Sequence, residues 1–228
     1  MRVSYLRHEG WFSPAHVSEV SLNIIGVGAT GSWIGLIAAK MGFQDFTVWD
    51  ADKVEEHNLA NQIYDIEDVG SLKVDAFERV LRRFNPNIKV SKHPYFFEKE
   101  HENELKGPLV LTVDTMKARA VICEAFSFNP DVEHVWETKL GFTHAEINSI
   151  NNMNIDSINN FKSTLRDDSE VQEGPCNLRI CTTLVTLVAG TTVHEICKKY
   201  VSSAKKEKWE YSPKIIFSNE TTLDVYNV

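Results

Sequence analysis

The 228-residue sequence is 43% apolar and 25% charged, which excludes disordered, collagen-like and disulfide-stapled chains and leaves ample length for a real core. With 24 Lys and Arg against 32 Asp and Glu, the formal net charge is −8. Phosphate backbones are held by basic surfaces, so nucleic acid is not expected as the main partner, whereas a small phosphorylated ligand needs only a local pocket.

The first twenty residues contain no apolar core of signal-peptide type. Leu22 to Val27 is a short apolar run stopping at glycines, as in a buried parallel strand. Thr30 to Met41 then places Ile34, Ile37, Ala38 and Met41 at helical spacing, and Gly42 closes it. Phe46 to Asp50 reads as a second strand ending in a carboxylate. Val74 to Phe84 is amphipathic and stops at Asn85-Pro86-Asn87; Ile88 to His93 reads as a third strand. Leu109 to Val113 is again apolar and again meets an aspartate, Asp114, with helical spacing resuming from Ala118 to Phe126. Asn148 to Asp168 is polar and reads as an excursion or an ordinary surface connection, before a last helix from about Ile180 to Tyr200. Strands alternating with helices predict an α/β chain: a Rossmann-like, mostly parallel sheet with helices on both faces, in a single domain.

The four cysteines, Cys123, Cys176, Cys181 and Cys197, form no Cys-x-x-Cys pair and no secreted disulfide framework. Ile180 to Val193 is too often interrupted by threonine for a membrane span. The expectation is a cytoplasmic chain with no membrane partner.

Gly26-Val27-Gly28-Ala29-Thr30-Gly31 is a G-x-G-x-x-G between a strand and a helix. Glycines there let the backbone turn tightly and approach a phosphate at the positive end of the helix, and Asp50 lies where an acid accepts from ribose hydroxyls. Gly26, Gly28, Gly31 and Asp50 thus form a nucleotide-binding candidate that does not by itself choose between NAD, FAD, S-adenosylmethionine and ATP.

The residues after Asp50 do choose. Asp50-Ala51-Asp52-Lys53-Val54-Glu55-Glu56-His57-Asn58-Leu59-Ala60-Asn61-Gln62 resembles the D-x-D-x-V-x-x-x-N-L-x-R-Q signature of the ThiF/MoeB/HesA superfamily, the ubiquitin-activating-enzyme-like adenylyltransferases. Asp68-Val69-Gly70-Ser71-Leu72-Lys73, Phe84-Asn85-Pro86-Asn87 and Val113-Asp114-Thr115 with Arg119 resemble later motifs of that superfamily, in its order, and Tyr5-Leu6-Arg7-His8 its N-terminal motif.

The resemblance covers about residues 1 to 125. It implies a ThiF-like adenylation domain over 1–228, with a nucleotide core at about 20–125 and a substrate-side crossover region at about 140–176. The implied reaction joins a carboxylate, typically the C-terminal glycine of a ubiquitin-like or sulfur-carrier protein, to the α-phosphate of Mg-ATP and releases pyrophosphate. Asp114 is the expected Mg²⁺ ligand, Asp50 the ribose acceptor and Lys73 the phosphate contact. Asp52, Asn58, Gln62 and Arg119 are expected to line the same pocket. Arg7 is expected to cross a homodimer into the partner's site, and Cys176, after Glu173-Gly174-Pro175, is the candidate acyl acceptor.

One position departs from the signature: Asn61 stands where the superfamily has arginine, removing a fixed cation, so that either another cation such as Arg7 or Arg119 compensates or ATP turnover is weakened. That departure keeps a second reading open, a catalytically weakened partner subunit. An NAD-linked oxidoreductase, which shares only the glycine loop and Asp50, is the third.

Overall fold

The computed structural model describes residues 3–141, 144–166, 182–218 and 224–226. Five strands run parallel: β1 (Ser21–Ile25), β2 (Asp45–Trp49), β3 (Lys89–His93), β4 (Gly107–Leu111) and β5 (Val132–Leu140). Helices α1 (Ala29–Met41), α2 (Lys73–Phe84) and α3 (Met116–Phe126) connect them. After β5 come β6 (His144–Ile150), α4 (Ile155–Lys162), α5 (Thr182–Lys205), β7 (Lys214–Ser218) and β8 (Asp224–Tyr226), these last three strands antiparallel. The sheet order is β3-β2-β1-β4-β5-β6-β7-β8. The chain reverses its direction of travel across the sheet between β1 and β4, and that is where a doubly wound sheet opens its ligand crevice.

Strands β1, β2, β4, β5 and β6 bury apolar side chains on both faces, so two layers of helices are needed to cover them. Under α1, α2 and α5 lie Ile34, Ala38, Phe77, Leu81, Val188 and Ile196; under α3 and α4 lie Ile122, Phe126, Ile158 and Phe161. Each of these larger side chains contributes about 1.5–3 kcal/mol by leaving water. Asn85, just before Pro86, caps α2, and Thr115 caps α3 by accepting from the Ala118 amide at 3.2 Å.

The predicted α/β class, with its mostly parallel sheet and helices on both faces, is the observed one. The segment from Asn148 to Asp168 needs correction. Its first three residues are the buried end of β6, and α4 follows, capped by Asn154 through the Ser157 amide at 3.0 Å. Strands β5 and β6 carry no clean apolar or alternating run because polar residues sit inside them: Glu137 and Asn148 are buried. The last helix runs on to Lys205. Among the described residues no helix is long and apolar enough to cross a membrane.

Candidate functional site

The glycine loop stands at the carboxyl end of β1, in the crevice. The Gly26 amide donates to Trp49 O at 2.8 Å, and the Thr112 hydroxyl, just past β4, donates to Gly26 O at 2.5 Å. Gly26 has φ +93°, a conformation that side chains disfavour. A methyl group on Gly31 would overlap Gly26 O outright and stand 2.7 Å from Thr112 Oγ1. The third glycine serves close helix–strand packing here, and Gly28 precedes α1 with no side-chain cap, leaving the first-turn amides for a ligand.

Asp50 and Tyr64 fix the loop from below. Asp50 Oδ2 accepts from the Val27 amide at 2.9 Å and Oδ1 from the Asp52 amide at 2.9 Å, while the buried Tyr64 hydroxyl donates to Val27 O at 2.6 Å. Burial raises the Asp50 carboxyl above its ordinary range, opposed by the charge of Lys73 and by those two amides. Burial, with Asp50 and Asp68 adding to it, pushes the Tyr64 phenol well up. Tyr64, between Ile63 and Asp65, belongs to no motif in the sequence.

Beside this loop the Lys73 ammonium lies 2.8 Å from Asp52 Oδ2, and its backbone amide donates to Asp52 O at 2.8 Å. The lysine is buried and the aspartate half exposed, so Lys73 is held at the crevice wall. Asn58 is buried and caps its own turn, Oδ1 accepting from the Glu55 amide at 2.9 Å. Asn61 O accepts from the Trp33 indole at 3.1 Å. The side-chain oxygens of Asn61 and Gln62 are buried without a hydrogen-bond partner among the described residues. An open cleft of about 410 Å³ adjoins Ala51, walled by Pro94, Tyr95, Phe96, Glu98, Glu100 and His101.

Asp114 follows β4 in an exposed bend just before the cap of α3. Arg119, expected to contact phosphate, is buried and engaged elsewhere. Its guanidinium pairs with Glu137 and donates to Thr138 O at 3.1 Å and to Val113 O. The other Glu137 oxygen accepts from Asn148 Nδ2 at 2.7 Å. Glu137, missed in the sequence, is thus the buried charge that orients the ends of β4 and β5.

Arg7 is exposed and is not brought to its own glycine loop. Its neighbours Tyr5 and His8 bond Ala39 O and Lys40 O, at the far end of α1 from Gly28, about 20 Å along a 13-residue helix. Cys176 and Cys181 lie outside the described residues. Cys123 and Cys197 are buried, and burial raises both thiols, Cys197 to about 12, so neither is a thiolate at neutral pH. Among the described residues no group of three or more His, Cys, Asp or Glu is placed to hold a metal alone. Asp114 still fits Mg²⁺, since that ion commonly takes one or two carboxylates together with substrate phosphates and water.

A sheet that reverses at a glycine loop, with acids on the neighbouring strand ends, defines the doubly wound class that takes a nucleotide at its switch point. Within that class, residues 12–225 match the ThiF family, and the chain belongs to it. Ubiquitin-like modifier-activating enzyme 5 of Branchiostoma floridae is 30% identical over 46% of this chain and 30% of its own length, so the chain spans about a third of that relative. Among solved structures, PaaA superposes with a TM-score of 0.72 at 19% identity, covering 92% of this chain and 64% of PaaA. E. coli MccB solved with ATP gives 0.69 at 15% identity, covering 94% and 65%. At such identities the likeness is one of fold.

Proposed function

We propose that the chain is an ATP-dependent adenylyltransferase that activates a carboxylate, the C-terminal glycine of a ubiquitin-like or sulfur-carrier protein, as its acyl-adenylate. The observation that carries this reading is the meeting, at one sheet edge, of a glycine loop pinned by Asp50, a lysine anchored on Asp52 and the open carboxylate of Asp114. The names of the Branchiostoma relative and of MccB with ATP support it.

In this reading the triphosphate lies along the loop toward the amino end of α1. Asp50 accepts from the ribose, Asn58 and Gln62 line the pocket, and the base enters the cleft beside Ala51. Lys73 meets the phosphates and Asp114 holds Mg²⁺, which when bound neutralises charge on the triphosphate. A carboxylate oxygen attacks the α-phosphorus as the bond to the bridging oxygen breaks, and pyrophosphate leaves with that electron pair. The protein contributes position and charge rather than a covalent bond. Arg7 enters the site of a second copy in a homodimer, and Cys176 is the acceptor if the acyl group moves to a thiol. The setting is cytoplasmic.

Asn61 favours one competing reading, a weakened partner subunit, because a buried amide oxygen occupies the position of the superfamily's arginine. ATP–pyrophosphate exchange with Gly-Gly-ending peptides decides between the two. The wild type is expected to exchange and Asp114→Asn to lose about 100-fold or more, with its thermal stability unchanged. ATP binding without exchange in the wild type would leave only the partner-subunit reading.

A further inference from the structure

The end of β5 carries a cation that neither the motifs nor the reading above uses. Lys139 Nζ donates to Thr164 Oγ1 at 2.6 Å and to Thr164 O at 3.3 Å, both neutral acceptors, and lies 5.7 Å from the centre of the Phe161 ring. Glu146, opposite it across the β5–β6 pair, is taken by Lys214 at 3.0 Å. Glu137, two residues earlier, is taken by Arg119 and Asn148. Among the described residues Lys139 is therefore left with neutral acceptors, in a neighbourhood that also holds the cations Arg119, Lys214 and Arg166. A half-buried ammonium with no carboxylate partner among the described residues offers a place for an anion.

The fold says which anion. The Arg119 guanidinium binds both Val113 O and Thr138 O, so the residues that follow, Asp114 and Lys139, leave adjacent strand ends tied to one group. The Leu111–Glu137 register agrees, with Asp114 three residues and Lys139 two residues beyond it. Asp50 and the glycine loop stand on β2 and β1, on the other side of Asp114. In the adenylation reading the phosphates lie on the glycine-loop and Lys73 side of Asp114, so an anion at Lys139, across Asp114 from them, comes to the α-phosphate opposite the leaving pyrophosphate, the direction in-line attack requires. We infer that Lys139 receives the carboxylate of the acyl substrate and orients it toward the α-phosphate, with Arg119 as the positioning residue that sets both strand ends. The inference rests on the adenylation reading and names the residue on its acyl side.

Burial and the charges of Arg119, Lys214 and Arg166, only partly offset by Glu146, bring the Lys139 ammonium down to about 8. Carboxylate capture should weaken as pH rises through that value, because the ammonium then loses its proton.

The test is ATP–pyrophosphate exchange by the full chain, using a synthetic peptide ending in Gly-Gly as the carboxylate. Lys139→Met is expected to raise the KM for peptide roughly tenfold or more, the loss of one charge-assisted hydrogen bond, with the KM for ATP unchanged. Lys139→Arg is expected to restore it and to remove the rise of peptide KM between pH 7 and 9. A peptide KM unchanged in Lys139→Met, an ATP KM rising in parallel, or the same pH profile in Lys139→Arg as in the wild type overturns the inference while leaving adenylation intact. If Lys139→Met does not fold, the arginine pH profile decides alone. A wild type that binds ATP but exchanges with no peptide fails one step earlier, at the adenylation reading, and takes the inference with it.

Discussion

At the β1–β2 end of the crevice the backbone is fixed by uncharged contacts and close packing: Gly31 against Gly26 O, the Thr112 hydroxyl on Gly26 O, the Tyr64 hydroxyl on Val27 O. The charges beside it are Asp50, which accepts from backbone amides, and the Lys73–Asp52 pair, whose aspartate is exposed to solvent. At the β4–β5 end the same edge is fixed by a buried ion pair, Arg119 with Glu137, spreading to two carbonyls and Asn148. The first arrangement tolerates almost no added volume but little depends on charge. The second tolerates no unpaired charge, since a buried ion left alone costs far more than the pair contributed.

The most damaging break of this contrast is Glu137→Ala. It takes the carboxylate from a buried guanidinium and the acceptor from Asn148. A loss of roughly 3–5 kcal/mol in chemical denaturation is expected. Replacing the pair together, Arg119→Met with Glu137→Leu, should recover most of that loss in stability while the ends of β4 and β5 lose their common tie. If Glu137→Ala costs under about 1 kcal/mol, the β4–β5 end is not held by charge.

Next in size is Gly31→Ala, at the uncharged end. The added methyl meets a carbonyl oxygen and not the tip of a flexible side chain, so α1 must shift off the loop. Overpacking of this kind costs about 3 kcal/mol, and ATP binding measured by calorimetry should go with it. Tight binding in a stable Gly31→Ala protein would show that the loop has room that its packing denies.

Acid sharpens the comparison because β5 holds a titratable group near its start. His134 is buried among Trp136, Trp209 and Tyr211. Burial, with Lys199 adding to it, takes its imidazolium from the usual 6.5 down to about 3. The unfolded chain therefore binds the proton more readily, so the stability His134 contributes is complete above pH 6.5 and is lost as pH falls toward 3. Between pH 7 and pH 5 the loss should be about 2 kcal/mol. Hydrogen exchange should report it first in β5, with β1 lagging. His134→Phe should flatten that part of the profile; equal acid sensitivity in both proteins would place the responsible group elsewhere.

The two ends also differ in how far they could be read from sequence. The glycine loop, Asp50 and Lys73 are legible because their spacing is local: strand, turn and helix start lie within a few residues, and each motif is a short string. The β4–β5 end is written across distance. Arg119 was visible as a motif residue, but its partner Glu137 is 18 positions on and sits in a strand where a buried acid breaks every apolar pattern. Without that partner Arg119 reads as a free cation for phosphate, and Lys139 does not stand out at all. The same reasoning explains β6, whose buried Asn148 serves Glu137 and not the core.

Tyr64→Phe is the smallest and most specific probe of the uncharged end. The hydroxyl is fully enclosed and donates to Val27 O at 2.6 Å, while the neighbouring Val27 amide donates to Asp50. Removing it deletes one neutral hydrogen bond and leaves a single carbonyl short of a donor, a cost of about 1 kcal/mol. The ring stays, so the packing does too. Because Val27 lies between the first two glycines, the loop should loosen without unfolding. The KM for ATP in the exchange assay is expected to rise a few-fold, with the KM for peptide and kcat unmoved. A peptide KM rising instead would mean that the two ends communicate through the loop, and the division between a sterically held nucleotide side and a charge-held acyl side would fail.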